Sequence, residues 1–462
     1  MLRYIGPFLR MNKLTIEQIN SQLFHLSKES INSIVLNSNF GIVADNKKYD
    51  YKIPHTNDIN TTNKFSPLLC VYKKASGKLK KRNEKTTWNE NKFKKDINIS
   101  SNAFMTLCLL ELLDYYKKFK SIDKSKYNYY KIYSQLAKEQ LEFYAAYLRN
   151  DEGVFVDKKD CTEPITEKLK LKEKNVAFNF ADQALLMNAY YKCSLYLTEE
   201  DKDEFQNFAY DIFKMFKDYK DELYEVPKND LNKLCLYITL FYQYTFDEEA
   251  KALALDLFDW FLENHVRGNI SEFTSIENLS ILFCNSQILY NYTKLLNLKE
   301  ISDEIYTILK KYYDKNTGML YKTGQDSEIK YQASDLVMYF SIMFYMNNKN
   351  EFEDDDLIEL YNNHIINSGI ISKWPDAPSL GSVERYRNYE EKSENLLHEQ
   401  FFKLPSGLED DSNFAPGFLK TVYYNRSKST FKQKKYIFDS RKNFNLFFTI
   451  LYCYNRNLFI SK

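Results

Sequence analysis

The sequence predicts an all-α fold, an (α/α)6 toroid of six helical hairpins with three long loops on one mouth. Two kinds of helix alternate along the 462-residue chain, and a stop followed by an apolar pair recurs after one kind. Both signals share a period of about 50 residues in the middle of the chain, the mark of stacked helical hairpins.

One kind of helix is apolar nearly all round, as in Ala181 to Leu197, Leu279 to Leu296 and Ala333 to Met346. A helix with no polar face is buried on most sides. The other kind carries a single apolar stripe. Over 201–219 the stripe is Phe205, Phe208, Ile212, Met215, Phe216 and Tyr219, at three- and four-residue steps. Amphipathic helices are predicted near 15–37, 128–149, 201–219, 248–264, 299–313 and 354–367. Apolar helices are predicted near 101–118, 181–197, 231–246, 277–296, 333–347 and 442–456.

The stop is clearest around Gly41 (NSNFGIVADN), Gly153 (NDEGVFVDKK), Gly318 (KNTGMLYKTG) and Gly369 (INSGIISKWP). Weaker copies surround Gly268 and Leu223, the latter without the glycine. A glycine after a helix supplies the left-handed cap. With apolar helices as inner wall and amphipathic ones as outer wall, the first outer helix would pair with the last inner helix and close the ring. An open solenoid is the alternative, but its repeats lack so strong an inner/outer asymmetry. The expected organisation is one domain over 1–462, with long loop insertions at about 38–100, 150–180 and 368–441.

Composition narrows the function. The 64 Lys+Arg and 63 Asp+Glu nearly cancel, which argues against a nucleic-acid partner. The basic run Lys73 to Arg82 reads as a solvated loop. Eleven Gly and nine Pro are few, whereas 38 Tyr and 34 Phe are many, which favours helices around a large core. The Tyr, Phe, Lys, Asn and Ile excess also fits an A/T-rich genome, so aromatic richness alone does not indicate ligand stacking. The start of the chain, with Arg3 and Arg10, lacks the apolar core of a signal peptide. No run of about 18 apolar residues predicts membrane insertion. Seven cysteines without metal-ligand spacing point to a reduced, cytoplasmic protein. Five of them (Cys108, Cys193, Cys235, Cys284 and Cys453) fall in apolar helices as small buried hydrophobes. Cys161 lies in a long loop. No cofactor and no metal site are expected.

In such a ring the three long loops crowd one side of one mouth, above the N-terminal ends of the inner helices. Polar residues at those helix starts are Ser101, Asn102, Asp182, Gln183, Asn278, Asp335, Arg441 and Asn443. Asp182 and Asp335 are two carboxylates expected at the funnel mouth, where acid and base groups for glycosyl chemistry would stand. The competing reading is that each caps its own helix. Gln183 and Asn278 are candidate substrate contacts beside them.

In the last long loop, Glu384, His398 and Glu399 are candidate acid or base groups. Trp374, Asp376, Arg385 and Tyr386 are candidate sugar contacts, with Arg387 and Tyr389 nearby. A short amphipathic helix over 390–402 is expected there in either case, which would make His398 a surface residue. Trp88 is either a second stacking platform or a loop anchor. No Walker loop, dinucleotide motif, zincin pair or EF-hand is present.

The alternating hairpins with GIV, GVF, GML and GII after outer helices resemble the six-hairpin glycosidase superfamily over most of the chain. The resemblance is architectural. It implies a funnel site with Asp, Glu or His as acid and base and with Trp or Tyr as platforms. That superfamily spans glycoside hydrolases, unsaturated glucuronyl hydrolases, polysaccharide lyases and N-acylglucosamine 2-epimerases. Asp182 and Asp335 are chosen by position alone. Two functions are therefore expected: a carbohydrate-active enzyme of hydrolase or epimerase type acting on a carbohydrate or glycoconjugate, or a non-catalytic ring binding a glycan or a protein.

Overall fold

The computed structural model describes residues 15–45, 47, 49, 65–82, 85–163, 168–174, 178–268, 270, 275–321, 327–375, 413–433 and 436–455. Among the described residues, twelve helices alternate as the sequence predicts. The outer helices are α1 (Ile16–Asn37), α3 (Lys124–Tyr147), α5 (Glu199–Asp218), α8 (Glu248–Phe261), α10 (Leu296–Lys310) and α12 (Asp354–Tyr361). The inner helices are α2 (Ile99–Lys117), α4 (Phe180–Ser194), α7 (Lys228–Thr245), α9 (Ile276–Thr293), α11 (Ala333–Asn347) and α13 (Ser440–Asn455). A short helix, α6 (Lys220–Tyr224), takes the place of the stop that lacked a glycine.

The inner helices pack in the order α2, α4, α7, α9, α11 and α13, and α13 packs back on α2. The ring is closed. Each outer helix lies on the inner helix of its own hairpin, and α1 lies on α13 as the sequence predicts. The apolar sequences of α2, α4, α9 and α11 are buried along almost their whole length, because neighbours cover every face. The outer helices are amphipathic and locally capped. Asp123, for example, accepts from the backbone N–H of Ser125 and Lys126 at 2.9 and 3.1 Å.

Gly153, Gly268, Gly318 and Gly369 all take positive φ after outer helices. Gly41 does not. There Asn39 takes the left-handed turn (φ 54°), and Gly41 sits so close to the Cys70 carbonyl that a Cβ would lie 1.8 Å from it. The α8 and α12 helices each end in a π-helical turn, Leu262–Val266 and Asn362–Ile366.

The long loops sit at the N-terminal ends of the inner helices and are stitched together by short antiparallel strands. Asp96–Ile97 pairs with Lys158–Asp160, joining the first loop to the second. Lys74–Ser76 pairs with Ile437–Asp439, joining the first to the last. The α10–α11 connection, read from the sequence as short, adds a further piece: its strand Glu328–Gln332 pairs with Thr421–Asn425 of the last loop.

Three amides at the starts of inner helices hold these loops by their backbones. Asn102 accepts from Val71 N–H at 2.8 Å and donates to Val71 C=O at 3.3 Å. Gln183 accepts from Phe155 N–H at 3.0 Å and donates to Phe155 C=O at 2.8 Å. Asn443 accepts from Phe418 N–H at 2.7 Å and donates to Phe418 C=O at 3.3 Å. At the opposite end of the ring the buried Lys192 of α4 pairs with Glu111 of α2, and Asn455 of α13 donates to the Glu111 carboxylate at 2.7 Å. No described helix is long and apolar enough to cross a membrane.

Candidate functional site at the mouth of the toroid

Counted from the first helical residue, the third positions of the six inner helices are Ser101, Asp182, Asp230, Asn278, Asp335 and Lys442. They mark the floor of the mouth, where helix dipoles and first-turn N–H groups favour negative charge. The two carboxylates expected from the sequence occupy this floor in different states.

Asp335 is 1 % exposed and belongs to a capping box with Gln332. Its carboxylate accepts from the backbone N–H of Gln332 and of Glu277, each at 3.4 Å. It therefore joins the starts of α11 and α9 as a cap. Asp182 is only partly buried, and its helix is capped by another residue. Asn179 accepts from the Ala181 and Asp182 N–H groups at 2.8 and 3.3 Å. Burial pushes the Asp182 carboxyl up to about 6; Arg441 opposes the shift, and Asp157 and Asp230 add to it.

Asp182 lies within electrostatic reach of Arg441, Asp157, Asp230 and Lys233, and Glu277 joins it around Tyr237. Asp230 and Lys233 come from α7, Glu277 from α9 and Arg441 from α13. The Tyr237 hydroxyl is raised by burial, lowered by Arg441, and raised by Asp182, Glu277 and Asp230, so all four lie within electrostatic reach of one phenol. Burial lowers Lys442, with Glu277, Asp439 and Asp335 opposing the shift, and its ammonium donates to Gln332 Oε1 at 3.1 Å. Asp157 is occupied elsewhere: it accepts from Asn98 and, at 3.0 Å, from Ile99 N–H at the start of α2.

Below this floor the toroid axis is nearly filled. A cavity of about 100 Å³ remains, lined by Lys233 towards the mouth and by Phe104, Tyr237, Phe448, Tyr345 and Tyr452 among others. Any polyhydroxylated ligand larger than a few atoms would rest at the mouth, above this aromatic plug.

Asn278 ties α9 to α7, donating to Asn229 Oδ1 at 2.8 Å while its own C=O accepts the Asn232 amide at 2.9 Å. Gln183 is 1 % exposed and spends both ends of its amide on Phe155, so it clamps a loop and offers nothing to a substrate. Trp88 is a loop anchor. It is 6 % exposed, stacks on Phe40 at 5.5 Å and meets Phe438 edge-on at 5.4 Å. Trp374 is half-buried and packs against the core. Asp376, Glu384, Arg385, Tyr386, His398 and Glu399 lie outside the described residues. Among the described residues, no group of three or more His, Cys, Asp or Glu is arranged to hold a metal ion.

Sequence reasoning passed over Asp230, Lys233 and Glu277. Asp230 and Lys233 precede or interrupt the apolar run that begins at 231, and Glu277 is the acidic neighbour of Asn278. The available signal was position, since each belongs to the first two turns of an inner helix.

No family model matches the sequence, and no curated protein sequence matches it. Solved structures are similar. One is a D-mannose isomerase, with a TM-score of 0.51 at 9% identity, covering 96% of this chain and 100% of that one. Another is the GH76 alpha-mannanase of Bacteroides thetaiotaomicron, with a TM-score of 0.49 at 10% identity, covering 96% of this chain and 98% of that one. At such identities the likeness concerns the backbone alone, and with the closed double ring it makes this fold an (α/α)6 toroid.

Proposed function

We propose that this protein is a carbohydrate-active enzyme whose reaction takes place at the mouth of the toroid, with Asp182 as its proton-handling group. The observation that carries the reading is the state of Asp182: a partly exposed carboxyl raised to about 6, relieved of capping by Asn179, among Arg441, Lys233, Asp230 and Tyr237. A carboxyl with a pKa near neutrality can both give and accept a proton at physiological pH.

Asp230 is the second carboxylate in this reading, in the place first assigned to Asp335. It stands at the equivalent position of the next inner helix, and its side chain has no hydrogen-bond partner among the described residues. The coulombic effect of Asp230 on the Asp182 carboxyl supports pairing of the two. Arg441 and Lys233 would bind hydroxyl or carboxylate groups of the sugar. A soluble, cytoplasmic setting belongs to the same reading and is supported by seven free cysteines.

The test is a screen of aldoses, ketoses, disaccharides and aryl glycosides for hydrolysis, isomerisation or epimerisation, read by chromatography. Asp182→Asn should lower turnover of the substrate found by about 10²-fold or more while leaving the fold intact. Full turnover in that variant removes Asp182 from the mechanism. A second reading, a glycan-binding ring without catalysis, is favoured by one observation, the use of Asp335 as a cap. Tight sugar binding without turnover, unchanged in Asp182→Asn, would select it.

A further inference from the structure

A second concavity lies outside the double ring. It is a groove of about 960 Å³ between the end of α12, the hairpin around Gly318 and the hairpin formed by Thr421–Asn425 and Thr430–Gln433. Among the described residues, none of its lining comes from an inner helix or from the six positions that mark the mouth floor. Its volume is at the upper end of the range for small-molecule sites.

The lining combines two kinds of group. Tyr321 and Phe431 are half-exposed rings, and Phe431 is backed by Tyr424 at 4.9 Å. Arg426, Asn363 and Gln433 supply flat polar edges. These are already fixed in place. The Arg426 guanidinium stacks 4.7 Å above the Tyr321 ring. Asn363 donates to Gly318 C=O at 3.1 Å, and Gln433 donates to Gly369 C=O at 2.8 Å, which turns each amide oxygen the other way. Asn363 belongs to the π-helical turn Asn362–Ile366, a feature frequent at functional sites.

Aromatic faces suit the C–H faces of pyranose rings, and flat amide and guanidinium edges suit neighbouring hydroxyl pairs. A phosphate-rich polymer would demand several cations, and among the described residues the groove has one. A hard metal ion would demand carboxylates, and the described lining has none. We propose that this groove is a second binding site, for an oligosaccharide segment of several residues, distinct from the floor of the mouth. It does not rest on the chemistry assigned to Asp182: the groove would hold a glycan whether or not the mouth turns one over.

The experiment is affinity electrophoresis of the full chain in native gels cast with α-mannan, β-glucan, xylan or polygalacturonate. At least one polysaccharide should retard the wild type and Asp182→Asn equally. Tyr321→Ala should weaken the apparent affinity by about tenfold. Asn367→Trp, which fills the groove from an exposed position and leaves the packing intact, should do the same. The proposal is overturned if no polysaccharide retards the wild type, if retardation survives both groove variants, or if Asp182→Asn alone abolishes it. A failed mouth mechanism with intact retardation leaves the groove standing.

Discussion

Asn179 caps the helix that Asp182 would otherwise cap: its side-chain oxygen accepts from Ala181 and Asp182 N–H at 2.8 and 3.3 Å. On α11 the cap is reciprocal: the Gln332 side chain accepts from the Asp335 N–H, and the Asp335 carboxylate accepts from the Gln332 N–H. Two aspartates at the same position of two inner helices thus have different work: Asp335 returns a bond to its own N-cap backbone, and Asp182 is left out of the cap.

The carboxyl left over at 182 carries a cost at neutral pH. Its folded pKa of about 6 exceeds the ordinary 3.8, so the folded state holds the proton more tightly. Stability from this group is therefore greatest below about pH 4 and declines as pH rises toward 6. Asp182→Asn should raise stability at pH 7 by about 1–3 kcal/mol, reduced from the full shift because the carboxyl is partly solvated, even as activity falls. Urea melts at pH 7 check this; a less stable variant would contradict it. Asn179→Ala should cost about 1 kcal/mol and move any acid limb of the activity profile to lower pH, as Asp182 takes over the cap.

His364 has the opposite slope. It is buried, its Nε2 accepts from Leu320 N–H at 3.1 Å, and its Nδ1 lies 3.3 Å from Leu360 C=O. Burial lowers its pKa to about 4, so the unfolded chain binds the extra proton between about 6.5 and 4. Its contribution is fully present above about pH 6.5 and is lost as pH falls through that window, by up to about 3 kcal/mol. Wild type and His364→Gln should therefore differ in melting temperature at pH 7.5 and converge near pH 4.5. A constant difference across that range would exclude the titration.

Glu111 and Lys192 join α2 to α4 through a buried ion pair, with Asn455 of α13 on the same carboxylate. Lys192→Met alone leaves a buried charge and should cost about 3–5 kcal/mol, whereas Glu111→Met with Lys192→Met should recover most of that loss. Denaturant midpoints of the two single variants and the double variant would decide. Additive losses would mean the residues act separately.

The ring was legible because its signals are repetitive and physical. Burial on all sides makes the inner helices apolar all round, and positive φ after outer helices selects glycine. The mouth was less so. Periodicity locates the apolar body of a helix but not its polar first turn, which hid Asp230 and Lys233. Whether Asp182 or Asp335 caps its helix turns on Asn179 and Gln332, whose roles depend on backbone angles. Trp88 looked like a platform because a buried aromatic and an exposed one read alike until Phe40 and Phe438 are brought beside it from distant parts of the chain.

Gln183→Leu removes both partners of Phe155, whose backbone is buried, and should cost about 1–3 kcal/mol for each unsatisfied group. The second long loop should then be cut sooner in limited proteolysis, while the far end of the ring keeps its protection. Equal cleavage in variant and wild type would show that the amide does not hold the loop.

The same clamps set the terms on which the mouth can change. Asn102, Gln183 and Asn443 grip only an N–H and a C=O, which every residue except proline provides. Positions 71, 155 and 418 are thus held without regard to which side chain they carry. The walls become exchangeable parts on a constant frame: a grafted loop that lays an extended backbone beneath the clamp can bring an entirely different lining, and the twelve-helix ring beneath need not be redesigned to accept it.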